Sequence, residues 1–271
     1  MFNVWKRHLP RGLKRAVMVW WYDTVARMDT KGELLFLNHG YAGEGDAPHT
    51  IALPADLEPH RYPIQLYDLL ASRRDWRDKE GLEVSCGLGG GVMYVDRQYG
   101  PRSMTGLDLS AASVEACRRR FNGAQLRFET GDAQAMPFPD HSFDIVINVE
   151  SSLNYPDFPR FLSEVNRVLR PGGTFLFGDY RRAAKMIRVR QALEKMGYAV
   201  ETMTDITAGI VRGLERGRER KHALIDRHVP YLLRGLVRGF AGLSRERDEE
   251  HHKFQNGHKS YLMAVLTKPA T

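Results

Sequence analysis

The residues best suited to chemistry begin with the run Glu83-Val84-Ser85-Cys86-Gly87-Leu88-Gly89-Gly90-Gly91. It closes a short apolar stretch and opens a helical pattern. Glycines at such a strand-to-helix turn let the backbone approach a ligand, because no Cβ stands in the way. Glu83 can accept hydrogen bonds or pair with a cation there, and Ser85, Cys86, Gly87 and Gly89 form the turn itself. Gly87 and Gly89 fit the start of a dinucleotide turn, but its third glycine position falls on Val92. No Lys-Ser or Lys-Thr follows, which excludes a nucleoside-triphosphate loop.

Asp108 follows about 20 residues later, at the end of Gly106-Leu107-Asp108-Leu109. A carboxylate at that point can accept both ribose hydroxyls of an adenosine ligand, with Leu109 beside it; the alternative is a cap on the helix that opens at Ser110. In Gly131-Asp132-Ala133-Gln134-Ala135-Met136-Pro137-Phe138, Asp132 can accept from an adenine amino group while the Ala133 amide meets a ring nitrogen. Met136 and Phe138 can line the ring, or Asp132 can be a simple turn residue. The run Phe143 to Ser152 sets Asn148 and Glu150 at the end of the cleanest buried strand, where open α/β sheets bind ligands. Acid–base candidates are few: His228 before Pro230, Tyr155 just past that strand, and Glu150. His251, His252 and His258 lie in a polar stretch and read as solvated, and no metal-ligand spacing supports a metal site.

These residues need a scaffold that brings several strand ends together. Strands are expected at 82–86, 104–109, 126–129, 143–149 and 174–178, with helices over 63–78, through about 98, at 111–120 and at 158–169. Pro171, Gly172 and Gly173 stop the last of these helices. Further strands are expected near 198–203 and at 260–267. The alternation implies an α/β fold with a mainly parallel seven-stranded sheet and helices on both faces. Four segments follow: a helical N-terminal or lid segment at 1–70, the core at 71–206, a helical acceptor-side insert at 207–255 and a final core strand in 256–271.

With 271 residues, 42% of them hydrophobic, the chain can bury a sizeable core. Its formal net charge is +7, but the basic residues are scattered. The run from Arg212 to Lys221 alternates with Glu215 and Glu219, as a solvated helix face does, so nucleic acid is not the expected partner. Cys86 and Cys117 suggest no disulfide framework. No run approaches the roughly 20 apolar residues of a membrane span, and no secretory leader is evident, so the expected compartment is the cytoplasm. The apolar helix around Trp20, Trp21 and Tyr22 is expected to pack on the core or on a neighbouring subunit, making a homo-oligomer one expectation.

Taken in order, the five segments from 82 to 178 resemble the class I S-adenosylmethionine (SAM)-dependent methyltransferases, with Arg167 to Gly173 as the fifth. Beyond them, Tyr155-Pro156, Asp226-Arg227-His228 with Pro230, Phe36-Leu37-Asn38 with Tyr41, and Gln65-Leu66-Tyr67 look similar to phthiotriol/phenolphthiotriol dimycocerosate methyltransferases and related natural-product enzymes. The resemblance implies a Rossmann-like fold, SAM as cofactor, and methyl transfer to a small secondary-metabolite or lipid-like acceptor, through oxygen or alternatively carbon. Two departures stand out. Ser85 replaces the first glycine of the turn, and Leu153 sits where the relatives commonly carry a histidine three residues past the glutamate, so a candidate base is missing. Segments 1–70 and 205–255 are expected to build an apolar acceptor pocket. A nicotinamide-dependent oxidoreductase is disfavoured by Val92 and the paired Asp108 and Asp132. A nucleic-acid methyltransferase lacks a recognition module, and a non-catalytic SAM-binding scaffold does not need so large an insert.

Overall fold

A computed structural model describes residues 11–29, 32–44, 51–228, 234 and 249–271. Its strands are β1 (Glu80–Val84), β2 (Ser103–Asp108), β3 (Leu126–Thr130), β4 (Phe143–Val149), β5 (Leu169–Arg182), β6 (Ala199–Asp205) and β7 (Lys259–Thr267). They form one seven-stranded sheet in the order β3-β2-β1-β4-β5-β7-β6. β1 to β5 pair in parallel, and β7 runs antiparallel between β5 and β6. Chain order reverses between β1 and β4, which opens a crevice at their carboxyl ends, where such sheets take ligands.

Strand alternation splits the interior into two layers. Ile145, Ile147, Leu176, Tyr261 and Met263 face one layer. Leu82, Val146, Phe175, Phe177 and Leu262 face the other. The apolar run Ile145-Val146-Ile147 of β4 thus reflects a strand covered on both sides. The described helices are α1 (Arg11–Met28), α2 (Arg61–Ala71), α3 (Gly90–Tyr99), α4 (Ala111–Arg120), α5 (Phe158–Val168), α6 (Ala183–Glu194), α7 (Thr207–His228) and α8 (Glu249–Gln255). α5 is capped by Asp157, which accepts from the Arg160 amide at 3.0 Å, and buries Phe161, Leu162, Val165 and Val168. α1 packs through Trp21, Val25 and Ala26 on Leu88 of the glycine turn. Asp29 beyond it pairs with Arg120 of α4 at 2.7 Å.

Several expectations shift. The helix expected over 63–78 stops at Ala71, because the fully buried Trp76 folds back and its indole N–H takes the Ala71 carbonyl at 2.9 Å. β5 is much longer than 174–178: it runs from Leu169, which pairs with Phe143 of β4, to Arg182, the last residue that β7 pairs with. Pro171-Gly172-Gly173 therefore lies inside a strand, with the Gly172 amide on the Lys268 carbonyl at 3.1 Å. Arg212 is not on a solvated face; its guanidinium donates to the carbonyls of Ala42 and Gly43 at 3.1 and 3.0 Å. Of the expected helical insert over 207–255, residues 229–233 and 235–248 lie outside the described ones. Among the described residues no helix is long and apolar enough to cross a membrane.

Candidate active site

The turn after β1 is built on left-handed backbone. Ser85, Gly87 and Gly89 have φ of 60°, 55° and 80°. Glycine adopts this conformation freely, whereas a residue with a Cβ is strained in it, and Ser85 offsets the strain with a hydrogen bond. Its Oγ lies 2.7 Å from the Tyr155 hydroxyl. That hydroxyl also meets Ser151 Oγ at 2.9 Å and the Asn148 amide at 3.0 Å. Asn148 is fully buried and donates further to the Val84 carbonyl at 3.0 Å. Burial pushes the Tyr155 phenol well above its ordinary range. Asn148, Tyr155 and Ser85 are thus brought together, beneath the turn. Cys86 is buried, its thiol pushed up by contact with Cys117 and by burial, so only its backbone can face a ligand. At Gly87, by contrast, no atom of the described residues lies within 4 Å of where a side chain would begin.

Carboxylates gather at the strand ends. Glu83 is buried, accepts from the Tyr67 hydroxyl at 2.6 Å, and is pushed up to about 8 by burial, against the bond from Tyr67. Asp108 accepts from the Ser110 amide at 2.8 Å and the Gly87 amide at 2.9 Å, so it joins the end of β2 to the turn. Burial raises its carboxyl too, and those amides oppose the rise. Ser110 itself caps α4, accepting from Ser113 at 3.0 Å, so capping does not need Asp108. Leu109 is half-buried beside them. Tyr22 of α1 is pushed up to about 12 by burial and by the charges of Asp108 and Glu150.

On the β3 side, Asp132 accepts from the Gln134 amide at 2.9 Å. Ala133 and Met136 are buried in the same apolar cluster as Leu107, with Phe138 packed against that cluster. The loop is held from α5: Glu164 accepts the Met136 amide at 2.6 Å, and Arg167 donates to the carbonyls of Met136 and Phe138 at 2.9 and 2.6 Å.

Glu150 has a partner that sequence reasoning missed. It leaves β4 with φ of 50°, its amide on the Gly178 carbonyl at 2.8 Å. Its two carboxylate oxygens accept the His39 backbone amide at 3.0 and 3.1 Å, and one of them meets His39 Nδ1. The segment carrying His39 is fixed by its neighbours. Asn38 donates to the Pro63 carbonyl at 3.2 Å, Tyr41 to Tyr62 at 3.0 Å and Ala42 to Gly209 at 3.0 Å. Gly213 of α7 packs so closely that a Cβ there would sit 2.7 Å from Gly40 backbone. The only local signal was a histidine inside the aromatic-flanked run Phe36-Leu37-Asn38-His39-Gly40-Tyr41. Leu153 is 37% exposed, and its amide donates to Asp179. His228 ends α7, but its side chain lies outside the described ones. His251 is not solvated: its Nε2 lies 2.7 Å from Glu215, whereas His252 and His258 are exposed.

Residues 82–177 match the methyltransferase domain family. The chain is 39% identical to a fatty-acid O-methyltransferase of Mycolicibacterium smegmatis, over 98% of this chain and 94% of that protein. It is also 39% identical to a phthiotriol/phenolphthiotriol dimycocerosates methyltransferase of Mycobacterium tuberculosis, over 94% of this chain and 93% of that protein. Among solved structures, a 4+2 cyclase, SpnF, superposes with a TM-score of 0.72 at 21% identity, covering 94% of this chain and 96% of its own. A geranyl diphosphate C-methyltransferase of Streptomyces coelicolor A3(2), in complex with S-adenosyl-L-homocysteine, does so with a TM-score of 0.66 at 17% identity, covering 94% and 98%. Likenesses at this identity speak for the fold.

Proposed function

The chain belongs to the class I SAM-dependent methyltransferases, and from that premise we propose that it methylates an oxygen of an apolar, lipid-like acceptor, with the cofactor laid across the carboxyl ends of β1 to β4. That it is a SAM-dependent methyltransferase of small molecules follows from the family and the full-length relatives. The oxygen and the lipid character are our reading. The observation that carries it is the 39% identity, over nearly the whole chain, to proteins named for a fatty acid and for phthiotriol lipids. Two exposed leucines, Leu37 and Leu153, flank His39 and Glu150 in sequence, which suits an apolar acceptor.

The residues fit the cofactor. The cradle at Gly87 is open where a Cβ would fill it, and carboxylates at 83, 108 and 150 suit a ligand carrying cationic groups. In this reading the backbone of Ser85, Cys86, Gly87 and Gly89 lines the methionine end, with Glu83 beneath it. Asp108 takes the ribose hydroxyls beside Leu109, and Asp132 with the Ala133 amide takes the adenine. Asn148 and Tyr155 act from below by holding the turn. SAM supplies a methyl group already activated by its sulfonium. The protein's task is then to orient the acceptor, which alone is worth effective molarities of about 10⁵–10⁸ M. In this reading α1, packed on Leu88 of the turn, and the 38–43 segment, tied to Pro63, serve to keep water from the bound cofactor.

The test incubates the purified chain with SAM and each of three probes: hexadecanoic acid, 1-hexadecanol and 4-dodecylphenol. A gain of about 14 mass units on at least one, located on oxygen by fragmentation, is expected. Methyl found only on carbon, or on none of the probes, refutes the oxygen reading. Asp108→Asn should weaken S-adenosylhomocysteine binding in calorimetry by about 10-fold or more, the worth of a charge-assisted bond.

A further inference from the structure

We propose that His39, positioned by Glu150, is the general base of this enzyme, and that the acceptor atom is a hydroxyl oxygen still carrying its proton rather than a carboxylate. The inference rests on the oxygen-methylation reading above and narrows its substrate class.

The two residues are 111 positions apart and meet through three contacts: two from the His39 amide and one from its ring. Both side chains are largely shielded, at 14% and 7% exposure. The His39 ring stands edge-on to Tyr180, with centroids 4.7 Å apart, and to Phe254, at 5.6 Å. It is therefore held on two sides by rings and on a third by a carboxylate. A carboxylate on Nδ1 fixes the tautomer, stabilises the charged ring that forms when a proton arrives, and leaves Nε2 as the basic nitrogen. Glu150 keeps a left-handed backbone conformation that strains a non-glycine residue, so the fold holds this carboxylate in place against strain. The pair lies at the carboxyl end of β4, beside the point where strand order reverses.

Other groups face the pair. Tyr180 comes from β5, and Lys259 from β7 with its ammonium 4.4 Å from the Tyr180 ring centroid. Tyr261 of β7 is buried beside Glu150, whose charge, after burial itself, raises the phenol. Tyr67 and Tyr22 feel the same charge from α2 and α1. The position three residues past Glu150 is Leu153, which cannot move a proton. His39 brings an imidazole to the same carboxylate from a different segment.

In the step itself, the acceptor oxygen gives its proton to His39 Nε2 as it bonds to the methyl carbon. The electron pair of the breaking carbon–sulfur bond stays on sulfur, leaving S-adenosylhomocysteine, and His39 later releases the proton to solvent. A carboxylate acceptor is already ionised at neutral pH and gains nothing from such a base.

The test compares wild type, His39→Asn and Glu150→Gln on 4-dodecylphenol and hexadecanoic acid, with cooperative urea unfolding as the check on folding. Methylation of the phenol by His39→Asn should fall about 10²–10⁴-fold in kcat. Its residual rate should rise about tenfold per pH unit, because only ionised phenol then reacts, while the wild-type rate levels off. Glu150→Gln should alter the wild-type pH profile and not merely scale it. Independently of any acceptor, ¹⁵N NMR of the unliganded wild type should show neutral His39 with its proton on Nδ1. A wild type that methylates only the carboxylic acid overturns this inference and leaves oxygen methylation standing. So does a His39→Asn variant with an unchanged pH profile, or a His39 protonated on Nε2 when neutral. If no probe is methylated, the oxygen reading fails, and the tautomer still decides the base.

Discussion

Replacing Glu83 by Gln should remove a pH dependence of stability that the wild type cannot avoid. The carboxyl is buried beneath the glycine turn, and its ordinary value of 4.5 is raised to about 8 by burial. Between those values the folded chain holds a proton that the unfolded chain releases, so stability falls as pH rises. The contribution is complete below about pH 4.5 and lost as pH climbs through about 8. Each pH unit crossed between the two values removes about 1.4 kcal/mol, so the loss reaches roughly 3 kcal/mol at pH 7 and roughly 5 kcal/mol above pH 8. Glutamine can still accept from Tyr67, which now donates at 2.6 Å. Its extra amide hydrogens add an offset that does not vary with pH. Asp108 and Asp179 are also raised by burial, but both are present in wild type and variant and largely cancel in the difference. The assay is urea unfolding of cofactor-free protein at half-unit steps from pH 5 to 8.5. The stability of Glu83→Gln minus that of wild type should climb by about 1.4 kcal/mol per pH unit through most of that range. A difference that stays flat from pH 5 to 8 would show that Glu83 is ionised in the fold, and the burial argument would be wrong.

Three further outcomes follow from the same contacts. Ser85→Ala should cost about 0.5–1.5 kcal/mol in denaturant unfolding, because it loses the bond to Tyr155 but keeps the left-handed backbone; Ser85→Gly should cost less, since relief of strain offsets the lost bond. Equal losses in the two variants would mean that the φ of 60° carries no strain. Arg167→Ala releases the Met136 and Phe138 carbonyls and should lower both thermal stability and S-adenosylhomocysteine affinity; an unchanged calorimetric Kd would separate that loop from the adenine end. Gly213→Ala must push the Gly40 backbone away and should cost about 1–3 kcal/mol of stability. It should lower kcat more than it weakens cofactor binding; the opposite ranking would detach the 38–43 segment from catalysis.

Much of the frame was legible because its signals are local. β4 reads as a strand from Ile145-Val146-Ile147, because a central parallel strand is covered on both faces. Glycines at 87 and 89 announce a tight turn because only they adopt positive φ without strain. Asp108 and Asp132 could be placed at strand ends from the alternation alone. Extents that depend on a partner were less legible: β5 runs on to Arg182 with β7 beside it, and α2 is short because Trp76 returns to cap it.

The sequence by itself determined the order of strands and helices and the short motifs that a few adjacent residues spell out, since φ preferences and apolar periodicity act within a turn or a strand. Only the tertiary structure decided which distant side chains share a site. Tyr67 reaches Glu83 across 16 positions, Arg167 supports a loop about 30 residues before it, and His39 meets Glu150 across 111. Such meetings depend on how the N-terminal segment, α2 and α7 pack over the sheet, and packing between far-separated segments leaves no periodic mark in the chain.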